Sequence, residues 1–172
     1  ISDSMRFHIG GFFREGEGPR EAGYNANSGG QIKANLTKEF DTGFIRVYFK
    51  HLDDKSIGYL PMPMYANGDS IPGFDAQSDT PHSVYLQDTV RLNGDNQITR
   101  GSIANGMNPS VTSIGFEANF DVSEDWTLVN KFRFSDVSGS FNSPFPAEVA
   151  DPTSIAQSIG GAGASLEYAN GP

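Results

Sequence analysis

Residues 29–53, GGQIKANLTKEFDTGFIRVYFKHLD, constrain the fold of this chain more than any other stretch. Two alternating runs flank the short turn Asp41-Thr42-Gly43. In the first, Ile32, Ala34, Leu36 and Phe40 share one face, and Gln31, Lys33, Asn35, Thr37 and Glu39 share the other. In the second, Ile45, Val47, Phe49 and His51 oppose Arg46, Tyr48 and Lys50. Strand side chains point alternately to opposite faces, so the pattern predicts an antiparallel hairpin with one apolar and one polar face. Two environments satisfy such a hairpin. The apolar face packs on a protein core, or it faces lipid while the polar face lines a wet interior.

The same rhythm recurs along the chain. Near the start, Met5, Phe7, Ile9, Gly11 and Phe13 oppose Arg6, His8, Gly10, Phe12 and Arg14. Further on, Ile114, Phe116, Ala118, Phe120 and Val122 oppose Ser113, Gly115, Glu117, Asn119 and Asp121. After the turn Ser123-Glu124-Asp125, Trp126, Leu128, Asn130, Phe132 and Phe134 oppose Thr127, Val129, Lys131, Arg133 and Ser135. A weaker, glycine-rich run, IGGAGASLEYA, predicts one more strand. The expected fold class is therefore all-β, an antiparallel meander of about five or six strands with long loops at one end. Strands are expected near residues 5–14, 29–40, 44–53, 111–122, 126–136 and 159–169, with long loops at 15–28, 54–110 and 137–158. Short strands fit inside the longest loop, around residues 83–92, and residues 152–158 suit a turn or two of helix.

Both good hairpins carry an aromatic before the turn (Phe40, Phe120) and one after it (Phe44, Trp126). Both turns are short, while the connections at the opposite end are long and rich in Gly, Pro, Asn, Asp and Ser. A connection as long as 54–110 is uncommon in a compact domain and is usually functional where it exists.

Charge and composition narrow the classes. The chain of 172 residues suits one ordinary domain or a piece of something larger. Twelve Lys and Arg face 21 Asp and Glu with no basic stripe, which argues against a nucleic-acid partner. The lack of cysteine excludes disulfides and thiolate metal sites. No charged and apolar leader opens the sequence, and no run of 18 apolar residues occurs. The mean hydropathy of -0.40 is uninformative here, because barrel strands of about ten residues escape such averages.

No catalytic constellation stands out, and the chain is not expected to be an enzyme. His8, His51 and His82 are isolated, without the close spacing of a zinc site, so no metal and no cofactor is expected. His51 suits a membrane interface. Asn93-Gly94-Asp95-Asn96 lacks the closing glutamate of a calcium loop and reads as a turn. The glycines at 160–163 lack the Lys-Ser/Thr of a phosphate loop and read as part of a strand. Arg6, Arg14, Lys33, Glu39, Arg46, Lys50, Glu117, Lys131 and Arg133 share the polar faces. In a wet lumen they pair across strands; in a soluble sandwich they form a solvated exterior. Candidate ligand contacts lie in the long loop, where Tyr59, Tyr65, Phe74, Asp75, His82 and Tyr85 mix flat rings with polar tips. Such groups suit a small polar nutrient, a carbohydrate among them; equally, they fold the loop onto itself.

The stretches RFHIGGFFREGEGPREAGYN, GGQIKANLTKEFDTGFIRVYFKHLDD, YLPMP and WTLVNKFRFSDVSGSF…PFPAEV together resemble the barrel region of TonB-dependent outer-membrane receptors of Gram-negative bacteria. The resemblance implies a barrel of roughly 22 strands around a plug domain, importing nutrients with energy relayed through TonB. On it, the chain is expected to be an internal barrel fragment, part of a transmembrane β-barrel in the bacterial outer membrane, in contact with outer-membrane lipid. Plug and TonB would act through other parts of the protein. The rival expectations are a passive porin-type channel and a soluble, secreted β-rich binding or adhesion module.

Overall fold

The structure, a computed structural model, describes residues 3–59, 62–145 and 150–167. Five long strands form one antiparallel sheet: β1 (Met5–Gly16), β2 (Asn27–Phe40), β3 (Gly43–Ser56), β6 (Met107–Ser123) and β7 (Trp126–Phe141). Between β3 and β6 a separate small hairpin forms from β4 (Asp88–Leu92) and β5 (Ile98–Ser102). The order in the large sheet is β1-β2-β3-β6-β7, so each long strand pairs with its neighbour along the chain apart from the β4–β5 excursion. The expected meander is present. No closed barrel forms among the described residues, and β1 and β7 are its two open edges.

The turns also fall as the composition suggests. Asp41 and Thr42 alone join β2 to β3, and Glu124 and Asp125 join β6 to β7. The connections 17–26 and 57–106, and the chain after β7, all leave from the other end of the sheet. In the small hairpin, Asn93 closes the turn as expected, its side-chain oxygen accepting from the Asp95 and Gln97 amides at 2.9 Å each.

The registers carry the apolar faces into rows that cross the whole sheet. One row is Phe7, Leu36, Val47, Phe116 and Phe132; the next is Ile9, Ala34, Phe49, Ile114 and Phe134. No second layer covers these rows. Phe7, Leu36, Val47, Phe116 and Phe132 are 59, 45, 44, 39 and 55% exposed. On the opposite face Thr37 is 2% and Ser113 5% exposed, Gly115 is buried, and Arg46, Tyr48 and Lys50 are half-buried. The sheet is thus inverted along its middle: on β3 and β6 polar side chains are more sheltered than the apolar ones, while β1 and β7 are exposed on both faces. A soluble sandwich hides the apolar face instead.

Near the short turns, Phe40, Gly43 and Phe120 occupy one row. Because Gly43 has no side chain, the Phe40 and Phe120 rings meet across β3 with centroids 5.7 Å apart. Trp126 lies on the same face. Phe44 does not. A two-residue turn pairs Phe40 with Gly43 and so sends Phe44 to the polar side, where the Arg46 guanidinium lies 5.1 Å from its ring centroid.

The expected strand at 159–169 is overturned. Helix α1 (Pro152–Gly160) takes its first residues, and 161–167 are not strand; 168 and 169 lie outside the described residues. The cause is local. The Asp151 carboxylate accepts from the Ser154 amide at 3.1 Å, Pro152 occupies the first turn, and Gly161 ends the helix at φ 88°. The glycines at 160–163 therefore close a helix rather than thin a strand. The long strands also outrun their expected limits, with β6 starting at Met107 and β7 reaching Phe141, so the flanking loops are shorter than 54–110 and 137–158. Pro109, paired with Gly139, hides this extension in the sequence because proline ordinarily ends a ladder.

A side chain at Gly43 would place its Cβ 1.9 Å from the Asn119 carbonyl oxygen. Gly43→Ala is therefore expected to part β3 from β6 at the turn end and destabilise the chain by about 2 kcal/mol. Urea unfolding in detergent micelles measures the loss; an unchanged midpoint would contradict this packing.

Candidate functional site

The polar face holds a hollow whose lining crosses all five long strands, with a volume of about 730 Å³. Three rows of the polar face run through it, and His8, Lys33, Asn35, Tyr48, Lys50, Ser113, Gly115, Glu117, Lys131 and Arg133 are their members that line it. Arg6, Thr37, Arg46, Glu117 and Lys131 form the row nearest the short turns. His8, Asn35, Tyr48, Gly115 and Arg133 form the next, and Gly10, Lys33, Lys50, Ser113 and Ser135 the third. Alternation puts them on one face, and the antiparallel register puts them side by side.

Glu117 is the hub of the first row. Its carboxylate accepts from the Tyr48 hydroxyl, pairs with Lys131 Nζ at 3.1 Å and lies 4.0 Å from the Arg46 guanidinium. Arg46 Nε also donates to Thr37 Oγ1 at 2.7 Å, which explains why a threonine is buried on this face. Towards the sheet margins, Arg6 pairs with Glu39, and Arg14 binds Asp54 through Nε at 3.0 Å and Nη2 at 2.6 Å. The third row differs. Lys33 and Lys50 stand directly opposite each other, and neither has an ion pair or hydrogen-bond partner among the described residues. Arg133 donates only to hydroxyls, to Ser135 Oγ at 3.1 Å and Ser113 Oγ at 3.4 Å.

All the polar-face charges singled out from the sequence therefore fall on one face. Their neutral companions Thr37, Tyr48, Ser113 and Ser135 were placed on the same faces by the alternation but not singled out as site residues. Their signal was available: each has the same parity along its strand as the charges beside it.

The six loop candidates part company. Tyr59 packs on a small core of Ala22, Ala26 and Ile57, with its hydroxyl 2.9 Å from Asn27 Nδ2 and donating to the Glu17 carbonyl at 3.2 Å. His82 is also buried, 2% exposed, and bonds to Tyr24, which packs on that core. Its Nε2 donates to the Gly58 carbonyl at 2.9 Å, so its Nδ1 accepts from the Tyr24 hydroxyl at 3.3 Å. These two residues tie the loops 17–26, 57–59 and 78–83 together at the long-loop end. Tyr65 and Tyr85 are exposed and Phe74 is half-buried, with no ring contact among the three. Asp75 closes a turn on itself, accepting from the Gln77 amide at 2.8 Å. The polar-face hollow includes none of the six.

The histidines are likewise scattered. His8 faces the hollow, His51 lies on the open face with Nδ1 3.0 Å from Thr112 Oγ1, and His82 is in the loop core. Among the described residues no three of His, Asp and Glu come together as a metal site. Among the described residues no helix is long and apolar enough to cross a membrane. No protein-family model matches the chain, and neither a curated protein nor a solved structure matches it.

Burial holds the His82 pKa below the usual histidine value, against the opposing pull of the Gly58 carbonyl. Burial also raises the Tyr24 pKa, with the Tyr59 hydroxyl adding to the effect. Neutral His82 therefore favours the folded loops. Its contribution is complete above the unfolded value of about 6.5 and is lost as pH falls through the lower folded value. Amide exchange at Ile57, which donates to the Ala26 carbonyl at 3.2 Å, is expected to lose protection below about pH 6.5 after correction for intrinsic rates. His82→Gln should remove this dependence. Protection that rises on acidification would contradict the assignment.

Proposed function

We propose that this chain forms part of the wall of a transmembrane β-barrel in a bacterial outer membrane, serving nutrient uptake of the TonB-dependent kind. The observation that carries the reading is the inverted sheet. Rows of Phe, Ile, Leu and Val stand open on one face, while on the other Arg46, Tyr48, Lys50 and Glu117 of the middle strands are half-buried. In water such an arrangement exposes a contiguous apolar surface, the kind that marks an interaction site. In a bilayer the same residues meet acyl chains and the charges meet a wet lumen.

Three further features support it. Strands of 12 to 17 residues exceed the nine to eleven or so that a tilted strand needs to cross a membrane. Short turns lie at one end and long loops at the other, with Phe40, Phe120 and Trp126 near the short-turn edge of the apolar band. The far edge of that band also steps down from β1 to β3 and then runs level over β3, β6 and β7. Its last apolar members are Phe13 on β1, Ile32 on β2, Phe49 on β3, Ile114 on β6 and Phe134 on β7. Phe13 pairs with Gly30 and Ile32 with His51, so the edge drops one row at each of the first two steps. A flat membrane boundary cut across tilted strands produces a step such as the one from β1 to β3.

Nutrient choice, plug domain and TonB enter through the resemblance of the hairpin stretches to TonB-dependent receptors. The long-loop end then faces outward, and the polar wall faces the plug. A passive porin-type channel would use the same wall without a plug.

Tryptophan reporters in vesicles with brominated acyl chains test the membrane reading. In a Trp126→Phe background, Val47→Trp and Phe116→Trp are expected to be quenched severalfold more than Lys50→Trp. Equal quenching at all three positions, or none at the outward pair, would remove the barrel assignment.

A further inference from the structure

The polar wall is unevenly balanced. The chain carries a formal charge of -9, yet its hollow gathers Lys33, Lys50, Lys131 and Arg133 against one carboxylate, Glu117. That carboxylate is already engaged by Tyr48 and Lys131. The positive charge left over is concentrated in Lys33, Lys50 and Arg133, none of which meets an acidic group among the described residues. A concave surface lined by one sign of charge focuses its field and concentrates counter-ions.

The opposed lysines add a second, independent observation. Like charges directly across an antiparallel pair destabilise the sheet. Lys33 and Lys50 occupy such a pair in the middle of the wall, with Ser113 next in the row on β6. No carboxylate is set between them to relieve the repulsion. A position where local stability is sacrificed is where a ligand is to be sought. Arg133 completes the arrangement, because its hydrogen bonds to Ser113 and Ser135 steer the guanidinium along β7 towards the lysine row.

We infer that the hollow formed by Lys33, Lys50, Arg133 and the Ser113 hydroxyl binds a multivalent oxyanion on a small dissolved solute, a phosphorylated, sulfated or polycarboxylated compound. Two ammonium groups supply point charges that tolerate varied geometry, and the guanidinium supplies a planar pair of donors suited to an oxyanion. Arg6 and Arg14, each held by its own carboxylate, stand outside this set. The role of the anion as transported cargo rests on the barrel reading; its binding to this wall does not.

The test is a titration of the whole 172-residue chain in non-ionic detergent micelles with inorganic pyrophosphate, read by backbone amide NMR. At about 20 mM salt, where screening is weak, saturable shifts are expected at Lys33, Lys50, Ser113 and Arg133, with smaller ones at Arg6 and Arg14. Sodium chloride at matched ionic strength should not reproduce them. Lys50→Gln is expected to weaken pyrophosphate binding roughly tenfold while leaving the thermal midpoint unchanged or higher, because it relieves the lysine repulsion. Arg14→Gln should leave binding unchanged. Shifts that do not saturate, shifts that chloride reproduces, or a Lys50→Gln chain that binds as tightly as the parent would each overturn the inference. A Lys50→Gln chain with a lowered midpoint would show the lysine to be structural and overturn it as well. Failure of the bromine-quenching test with saturable anion binding would remove the barrel reading and leave the anion site standing.

Discussion

The two faces of a strand have to agree with the two media that touch them, and in this molecule that constraint governs everything else. Val47 and Phe49 are exposed where Tyr48 and Lys50 beside them are half-buried. Backbone hydrogen bonds hold such a sheet together in either medium. They do not decide which face turns to water. That decision belongs to side-chain transfer free energy, and here the alternation along all five strands sorts apolar from polar residues in the same direction. Pairwise ion bridges such as Lys131 with Glu117 contribute little beside it, because they remain partly wet.

From this constraint follow the roles of the less regular parts. Two-residue turns suffice where strands only reverse direction, and at that end the open aromatics Phe40 and Phe120 pack over Gly43. The opposite end carries the long connections, and these build their own small core of Ala22, Ala26 and Ile57. His82 and Tyr59 lock that core with hydrogen bonds to residues far away in sequence. They give the loop end an anchor from which exposed groups such as Tyr65 and Tyr85 project.

How much of this could be read from the residues alone differs with the range of the interaction. Alternation is local, so the faces of β2, β3, β6 and β7 were legible, as was the grouping of Arg46, Lys50, Glu117 and Lys131. The medium meeting each face was not legible, because a period of two says which residues are neighbours and nothing about what lies beyond them. Phe44 shows how narrow the margin is: one residue of turn length moves an aromatic from the open face to the side of Arg46. The helix at Pro152–Gly160 had its signals in Asp151, Pro152 and Gly161, but a weak alternation in the glycine-rich tract spoke for a strand. His82 was legible only as an isolated histidine, since its partners Tyr24 and Gly58 are joined to it by tertiary packing.

The central claim concerns what touches the open rows, and methyl groups report on that contact directly. With the chain in bilayers, a nitroxide carried on the lipid acyl chain should broaden the methyl resonances of Ile9, Leu36, Val47 and Ile114, all on the open face. A water-soluble paramagnetic chelate should leave them sharp. If the chelate broadens these methyls and the acyl-chain nitroxide does not, the apolar face meets water or another protein surface, and the account fails.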